Sequence, residues 1–600
     1  MALNINIAYP PLGFPNTGPY RIHQDWCIGD SLNIINNNFE HFDTYLISLS
    51  SLVSTINSSV ATLSSNVTTC CGGGGVPPLT GTTPLPPNVV PKVSNLVEQT
   101  IGGGNTQSNV FIISDGTMRV CGKSSNGELG IGNDRTNTTI PRIPLFNPPL
   151  FQGENIASVT PQGDVIYILT TFGRLYGAGY NAHYQLGLGD NVQRYVYTRI
   201  YLESTPTVDA PTPKPSNLFV KKIIAGSGGT SSNLTVFALT NSGDVYVWGR
   251  QTEGQTGMPL VVAPNGNANY IFKPRLLTTI NNVKDIVSGG NSAKQTTFFH
   301  KNDDTLWVTG ENSLGSAGIG ALYTAAPNTV PVYGDIKFKV LQVLAGAPSF
   351  PQINNNVKRV YCGGEVGNIT SWVITNTGRV FGAGYNNVGQ AIGATSPGNK
   401  VSAFTLIASG LAATDNVEYL AGHSDSTQTT MFALINTSTP GQYDIKGWGT
   451  NNMGTLGIGN NTAIILTPTP PLTPDWLTDG AKVAQICVAG DNANKATLVL
   501  DTKGRLWSTG FGDNGLLGNG LTGSTSRRNR FGLVSISPGY GVPKLIRSTN
   551  TSFGGWSNFL VLMDTGKVLG WGYDHPSSGQ LAVDSSGVAT SIPSFVLFHT

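Results

Sequence analysis

Two hydrophobic periodicities divide the chain. From Leu32 to Val67, apolar residues fall at Leu32, Ile35, Phe39, Phe42, Leu46, Leu49, Val53, Ile56, Val60, Leu63 and Val67. The steps alternate three and four without a break, which is the a/d spacing of a coiled coil. A helix of that length spans about 54 Å at ~1.5 Å per residue. The positions between are mostly Asn, Ser and Thr, which are poor helix-interior residues. Burying the seam against partner chains would hold a helix that its own propensity would not. β-Branched residues stand at both a and d and two Phe need room, so the pattern predicts a parallel trimeric coiled coil. The competing reading is an amphipathic helix packed on its own domain. The run Cys70-Cys71-Gly72-Gly73-Gly74-Gly75 that follows argues against it, because a helix meant to fold back rarely ends in a swivel.

From about residue 96 onward the spacing changes to short apolar runs in pairs. The first pair reads VFIISDGTMRVCGKSSNGELGIG from Val110, the second VIYILTTFGRLYGAGYNAHYQLGLG from Val165. The glycine closing the second run recurs at Gly122, Gly179, Gly249, Gly310, Gly384, Gly449, Gly510 and Gly572, at spacings between 57 and 74 residues. Each unit has room for about four strands. Two lie in the motif, and others precede it, such as VKKIIAGSGG from Val220, VKDIVSGG from Val283 and VKRVYCGGEVG from Val357. Small sheets repeated radially close into a β-propeller, which removes the exposed edges of an open stack. The fold class expected is mainly β. Eight motif copies predict eight blades, or seven if one copy serves another role. Asp115-Gly116, Ser242-Gly243 and Thr377-Gly378 read as two-residue hairpin turns that need a positive φ.

The remaining segments are punctuation. Residues 1–31 carry Pro10, Pro11, Pro15 and Pro19 with Tyr9, Phe14, Tyr20 and Trp26, an aperiodic piece expected to order by docking on something larger. Residues 68–95 join four glycines to Pro77, Pro78, Pro84, Pro86, Pro87 and Pro91, a linker part flexible and part stiff. The domain plan is thus a docking segment at 1–31, a trimerisation helix at 32–67, a linker at 68–95 and a propeller at 96–600.

The motif strings resemble the regulator of chromosome condensation family of propellers. The shared pattern is a hairpin ending in aromatic-x-Gly, then Asn, then Gly-Gln-Leu-Gly. It is fullest at Tyr176–Gly189, with Tyr180-Asn181 and Gln185-Leu186-Gly187, and returns at Gly579-Gln580-Leu581. Ala421-Gly422-His423-Ser424 is similar to that family's strand start. The resemblance covers roughly residues 96–600 and implies the propeller fold. Family members usually have seven blades. The first 95 residues, with SLNIINNNFEHFDTYL and a Ser-rich heptad helix, are similar to the N-terminal part of fibre and other surface proteins of tailed bacteriophages.

Composition narrows the function classes. Charged residues make up 11%, against a usual value of about 25%, and the net charge is +2, so no field favours nucleic acid or an acidic membrane. Cys27, Cys70, Cys71, Cys121, Cys362 and Cys487 show no zinc spacing; the last three sit in apolar runs and are expected to be buried thiols. Cys70 and Cys71 are placed to crosslink neighbouring chains in an oxidising medium, or to remain thiols. The start Met-Ala-Leu-Asn-Ile-Asn-Ile lacks the features of a signal peptide, and no apolar run is long enough to span a membrane as a helix. His23, His41, His183, His300, His423, His575 and His599 fall in different segments with no His-x-x-x-His pair, so no metal site is expected. No nucleophile elbow or phosphate loop is present, and Asp303-Asp304 reads as a turn rather than a calcium site. His183 and Tyr184, and Trp248 and Trp307, are candidate exposed binding groups, although strand tryptophans more often pack between blades. Segments 191–218, 256–275 and 321–352, rich in Tyr, Asn, Pro and Thr, suit polar contacts with sugars or proteins.

These observations lead to a non-enzymatic protein with no cofactor and no metal. The first reading is a homotrimeric fibre of a tailed-phage virion, assembled in the host cytoplasm. It docks on other virion proteins through residues 1–31 and presents its propellers to a host-surface glycan or protein. It makes no contact with nucleic acid and inserts into no membrane. The alternative is a regulatory protein-binding propeller of the small-GTPase exchange or chromatin-binding type.

Overall fold

The protein is described by a computed structural model. It describes residues 92–96 and, with interruptions, 108–596; the longer stretches outside it are 1–91, 97–107, 203–218, 227–233, 260–268, 320–335, 343–352, 550–556, 574–580 and 582–589. All described residues belong to one compact unit, Asn88–Thr600. The docking segment and the heptad seam from Leu32 to Val67 therefore lie outside the described residues, as does most of the linker.

The described chain is almost entirely strand. It forms eight successive four-stranded antiparallel units, here blades I to VIII: Val93–Arg142, Ile156–Ile200, Val220–Leu276, Val283–Gln342, Val357–Leu406, Val417–Thr469, Val483–Val534 and Pro543–Phe595. In each, the strands pair in chain order. Blade II gains a short parallel strand, Phe146–Asn147, on its outer edge, and the pair Tyr443–Val483 links blades VI and VII. The second strand of a blade is buried on both faces, as in Val165–Thr170 and Thr235–Thr240, where every residue is buried. Blades stack on either side of it, so it reads as a continuous apolar run rather than an alternation.

The ring closes. The first inner-strand amide of one blade donates to the turn glycine carbonyl of the blade before it. This holds for Ile156 to Gly116 (2.9 Å), Val283 to Gly243 (3.0 Å) and Val417 to Gly378 (3.2 Å). The same bond runs from Val93 to Gly566 (3.0 Å), joining blade I to blade VIII. All eight motif copies are blades.

The seams between blades reuse two devices. One is a tryptophan or tyrosine that donates to a carbonyl in the glycine-rich loop of the preceding blade. Trp248 reaches Gln185 at 2.7 Å, Trp448 reaches Gln390 at 3.0 Å, Trp571 reaches Leu516 at 3.0 Å, and the Tyr197 hydroxyl reaches Glu128 at 3.0 Å. The other is the asparagine two residues after the closing glycine. Its Oδ1 accepts the amide five residues on, in Asn181 (2.8 Å), Asn312, Asn386 and Asn451 (2.9 Å each). These side chains are buried, so both their polar ends need partners.

The hairpins differ from expectation. Ile113 bonds the Thr117 carbonyl, Gly116 donates to Ile113, and in that loop only Gly116 has a positive φ, +85°. This is a three-residue loop, a type I turn followed by a left-handed residue, not a two-residue turn. Asp-Gly serves either geometry, because both place the glycine in the left-handed region and only the two-residue turn needs the Asp there as well. In blade IV that place is taken by Asp304 at φ +60°, its carboxylate held by Lys284 and Asn376, so Asp303-Asp304 is a turn.

Candidate functional site

The inner strands of the blades surround an axial channel of roughly 1250 Å³. Each inner strand carries a register shift between its first and third residues, in all eight blades. A bulge of this kind re-aims the residues beside it. Here it falls on a residue pair near the start of each inner strand, and these pairs form a collar at one mouth of the channel: twelve of the sixteen residues line it, while Ser94, Glu418, Lys544 and Leu545 do not, Leu545 packing against the core. In order, the pairs are Ser94-Asn95, Ala157-Ser158, Lys221-Lys222, Lys284-Asp285, Lys358-Arg359, Glu418-Tyr419, Ala484-Gln485 and Lys544-Leu545. Beyond the collar the lining mixes small neutral residues, such as Thr160, Ser288, Ala421 and Gly422, with the larger Tyr361 and with one cation, Arg547, beside Cys487.

The collar is charged on one arc and linked from blade to blade. Lys222 bonds Asp285 at 2.6 Å, and Lys358 bonds Glu418 at 2.6 Å. Arg359 reaches the Glu418 carboxylate at 3.3 Å and its carbonyl at 3.1 Å, with the guanidinium 4.2 Å from the centre of the Tyr419 ring. On the far side, the Gln485 amide accepts from Ile546 N–H at 3.0 Å and donates to the Lys544 carbonyl at 3.2 Å. Burial alone would raise the Glu418 carboxyl, but hydrogen bonds from Lys358, Asn436 and Arg359 outweigh it and hold the group at about 2. His300 also lines the channel; burial, helped by Lys284, lowers it to about 4, so its ring is neutral at pH 7. Cys362 and Cys487 lie deeper, and burial pushes both thiols to about 12, far from the thiolate a nucleophile needs. Among the described residues no three His, Cys, Asp or Glu side chains gather as metal ligands do. What this arrangement can do is bind: it offers fixed cations, hydrogen-bonding groups and an opening.

A second feature lies on the seam of blades II and III. Tyr184 has φ +60°, where the other repeats place Gly127, Gly315, Gly389, Gly454 and Gly515, all at positive φ. A bulky residue there is strained. Its ring stacks on Phe272 at 4.1 Å, and His183 Nδ1 pairs with the Tyr270 hydroxyl at 2.8 Å. Two segments singled out in the sequence, around 183–184 and 256–275, thus meet in a half-buried aromatic cluster.

The other sequence candidates resolve as framework. Trp248 is fully buried in a seam, and Trp307 is partly buried, its indole donating to Thr305 at 3.1 Å. His423 is buried; burial, then Lys495, hold it neutral. Beside it Lys495 and Asp425 form a buried ion pair at 2.7 Å. Cys121 and Cys362 are buried thiols as expected, whereas Cys487, expected to be buried too, is a half-buried thiol on the channel-facing strand. The collar carries no motif that marks it as a site in the sequence. Its signal was present: Val-Lys-Lys, Val-Lys-Asp and Val-Lys-Arg head three successive repeats.

No family model matches the chain. It is 22% identical over 378 residues to the ultraviolet-B receptor UVR8 of Arabidopsis thaliana, covering 61% of this chain and 68% of that one. It is 29% identical over 129 residues to the E3 ubiquitin-protein ligase HERC2 of Homo sapiens, 21% of this chain and 2% of the ligase. It is 28% identical over 159 residues to an RCC1 domain-containing protein of Dictyostelium discoideum, 24% of this chain and 30% of that protein. The chain therefore spans only a small part of two of these three relatives. Its propeller is built from RCC1-like repeats.

Proposed function

We propose that the chain is a regulatory, protein-binding propeller that acts without catalysis, and that the collar is its binding face. The observation that carries this reading is the inner-strand bulge shared by all eight blades, which falls on a different residue pair each time and places lysines at the channel mouth in blades III to V. The seams need their repeated tryptophans and asparagines; nothing in the seams needs Lys221 at the mouth. A rigid scaffold that varies its exposed residues is the usual form of a binding surface. The relatives support a binding module rather than one chemistry, since a light receptor and a ubiquitin ligase share the repeat type. The test is crosslinking of the full chain to proteins of the cell that produces it, followed by mapping. Crosslinks from Lys221, Lys222, Lys284 and Lys358 to a partner are expected. Crosslinks confined to the outer strands would remove the collar from the binding role.

The heptad seam from Leu32 to Val67 favours a second, compatible reading, in which three chains are zipped together and display three propellers, as on a virion fibre. Linked heads would gain avidity even where each contact is weak. Light scattering on the full chain decides it: a mass three times that of one chain is expected, and a monomer would end the reading.

A further inference from the structure

We infer that the channel mouth takes an extended acidic polypeptide segment; this rests on the protein-binding reading above and names the chemistry of the partner. The channel is lined by Lys221, Lys222, Lys284, Lys358, Arg359 and Arg547, against one lining carboxylate, Asp285. Adding Glu418 and Asp304, which hold Lys358 and Lys284, leaves six cations to three carboxylates. This surplus of three lies along one channel, from its mouth to Arg547, in a chain whose total net charge is +2. Lys221 is exposed and has no ion-pair partner among the described residues. Arg547 donates one bond to the Ile546 carbonyl at 3.0 Å, while its Nε is buried without an acceptor. A buried donor left unmade is costly, and an incoming carboxylate would satisfy it.

A second orphan group favours a peptide over a denser polyanion. Gln162, at the end of the blade II inner strand, is 3% exposed and lines the channel, and its Oε1 has no donor. A peptide supplies N–H donors for Gln162 and carboxylates for the lysines; a polyphosphate supplies acceptors only. An inner strand of six residues runs about 20 Å at ~3.3 Å per residue, so an extended segment entering at the collar can reach the level of Gln162.

The test uses the full chain and a fluorescein-labelled decapeptide of alternating Glu and Ser, read by fluorescence anisotropy. Saturable binding that weakens as salt rises is expected. The triple substitution Lys221→Gln, Lys222→Gln, Arg547→Gln should weaken it at least tenfold. Lys221→Gln alone, at an exposed and unpaired position that cannot unfold the chain, should weaken it about threefold. Gln162→Leu should weaken it a few-fold without changing the salt dependence. No saturable binding, or binding by the triple variant within twofold of the parent, would overturn the inference. So would displacement of the peptide by inorganic polyphosphate at lower concentration than by unlabelled peptide. If the collar lysines crosslink to a partner while the acidic peptide fails to bind, the protein-binding reading stands and the acidic partner is excluded.

Discussion

The seams between blades and the collar at the channel mouth are built from the same repeat under opposite rules. At the seams the same groups recur: the closing glycine in all eight blades, and the aromatic donor to a loop carbonyl and the asparagine clamp in four blades each. At the collar the backbone returns, with its bulge in every inner strand, but the side chains change from Ser-Asn to Lys-Lys to Glu-Tyr. Where the repeats agree, the residue is held by packing; where they differ on an identical backbone, packing does not decide. That is why the collar, not the seam, is the place to look for function.

The sharpest way to break this contrast is at a seam. Trp448→Ala removes a fully buried indole and its bond to Gln390. It should cost about 3–5 kcal/mol in denaturant unfolding.

Glu128 gives the next largest effect, with a pH signature. It occupies the loop position held elsewhere by Gln185 and Gln390, and accepts the same amide contact, from Asn126 at 2.9 Å where the others accept from His183 at 2.9 Å and Val388 at 3.0 Å. Glu128 is 2% exposed, and burial raises its carboxyl to about 7 from 4.5. A folded-state value above the unfolded one means stability falls as pH rises from about 4.5 to about 7 and is flat above. Glu128→Gln should therefore leave the chain nearly unchanged at pH 4.5 and stabilise it at pH 8, by on the order of 3 kcal/mol. A thermal midpoint difference that does not grow with pH would remove this account of Glu128.

Asn451→Ala comes third. It strips the acceptor from the buried Leu456 amide and should cost about 1–3 kcal/mol. The smallest effect belongs to the collar. Lys222→Gln breaks an ion pair whose side chains are 40% and 43% exposed, and should change stability by about 0.2–1 kcal/mol, less at high salt. A cost comparable with that of Trp448→Ala would erase the distinction between the two regions.

Much of this contrast was legible in the sequence because it rests on spacing. The closing glycines fixed the number of units, and Gly122, Gly179 and Gly249 indeed stand at φ +109°, +115° and +89°. Trp248 was readable as a seam residue because a strand tryptophan next to a glycine has few other places to go. Three features resisted. The Ser114-Asp115-Gly116 loop has one more residue than expected, since the dipeptide alone does not distinguish the turns. The strain at Tyr184 is invisible until its glycine counterparts are superposed on it. The collar cations read as an ordinary solvated strand start, because a bulge leaves no composition mark and the ring brings together residues some sixty positions apart. The heptad seam is the strongest periodic signal in the chain and lies outside the described residues, so it stands on spacing alone.

The measurement that bears most directly on the central claim is denaturant unfolding of a chain in which Lys221, Lys222 and Lys284 are all changed to Gln. If the collar is there to bind and not to hold the ring, the variant should unfold within about 1–2 kcal/mol of the parent with an unchanged denaturant slope. A loss of the size expected for Trp448→Ala would show that the mouth lysines are part of the framework, and would contradict the account.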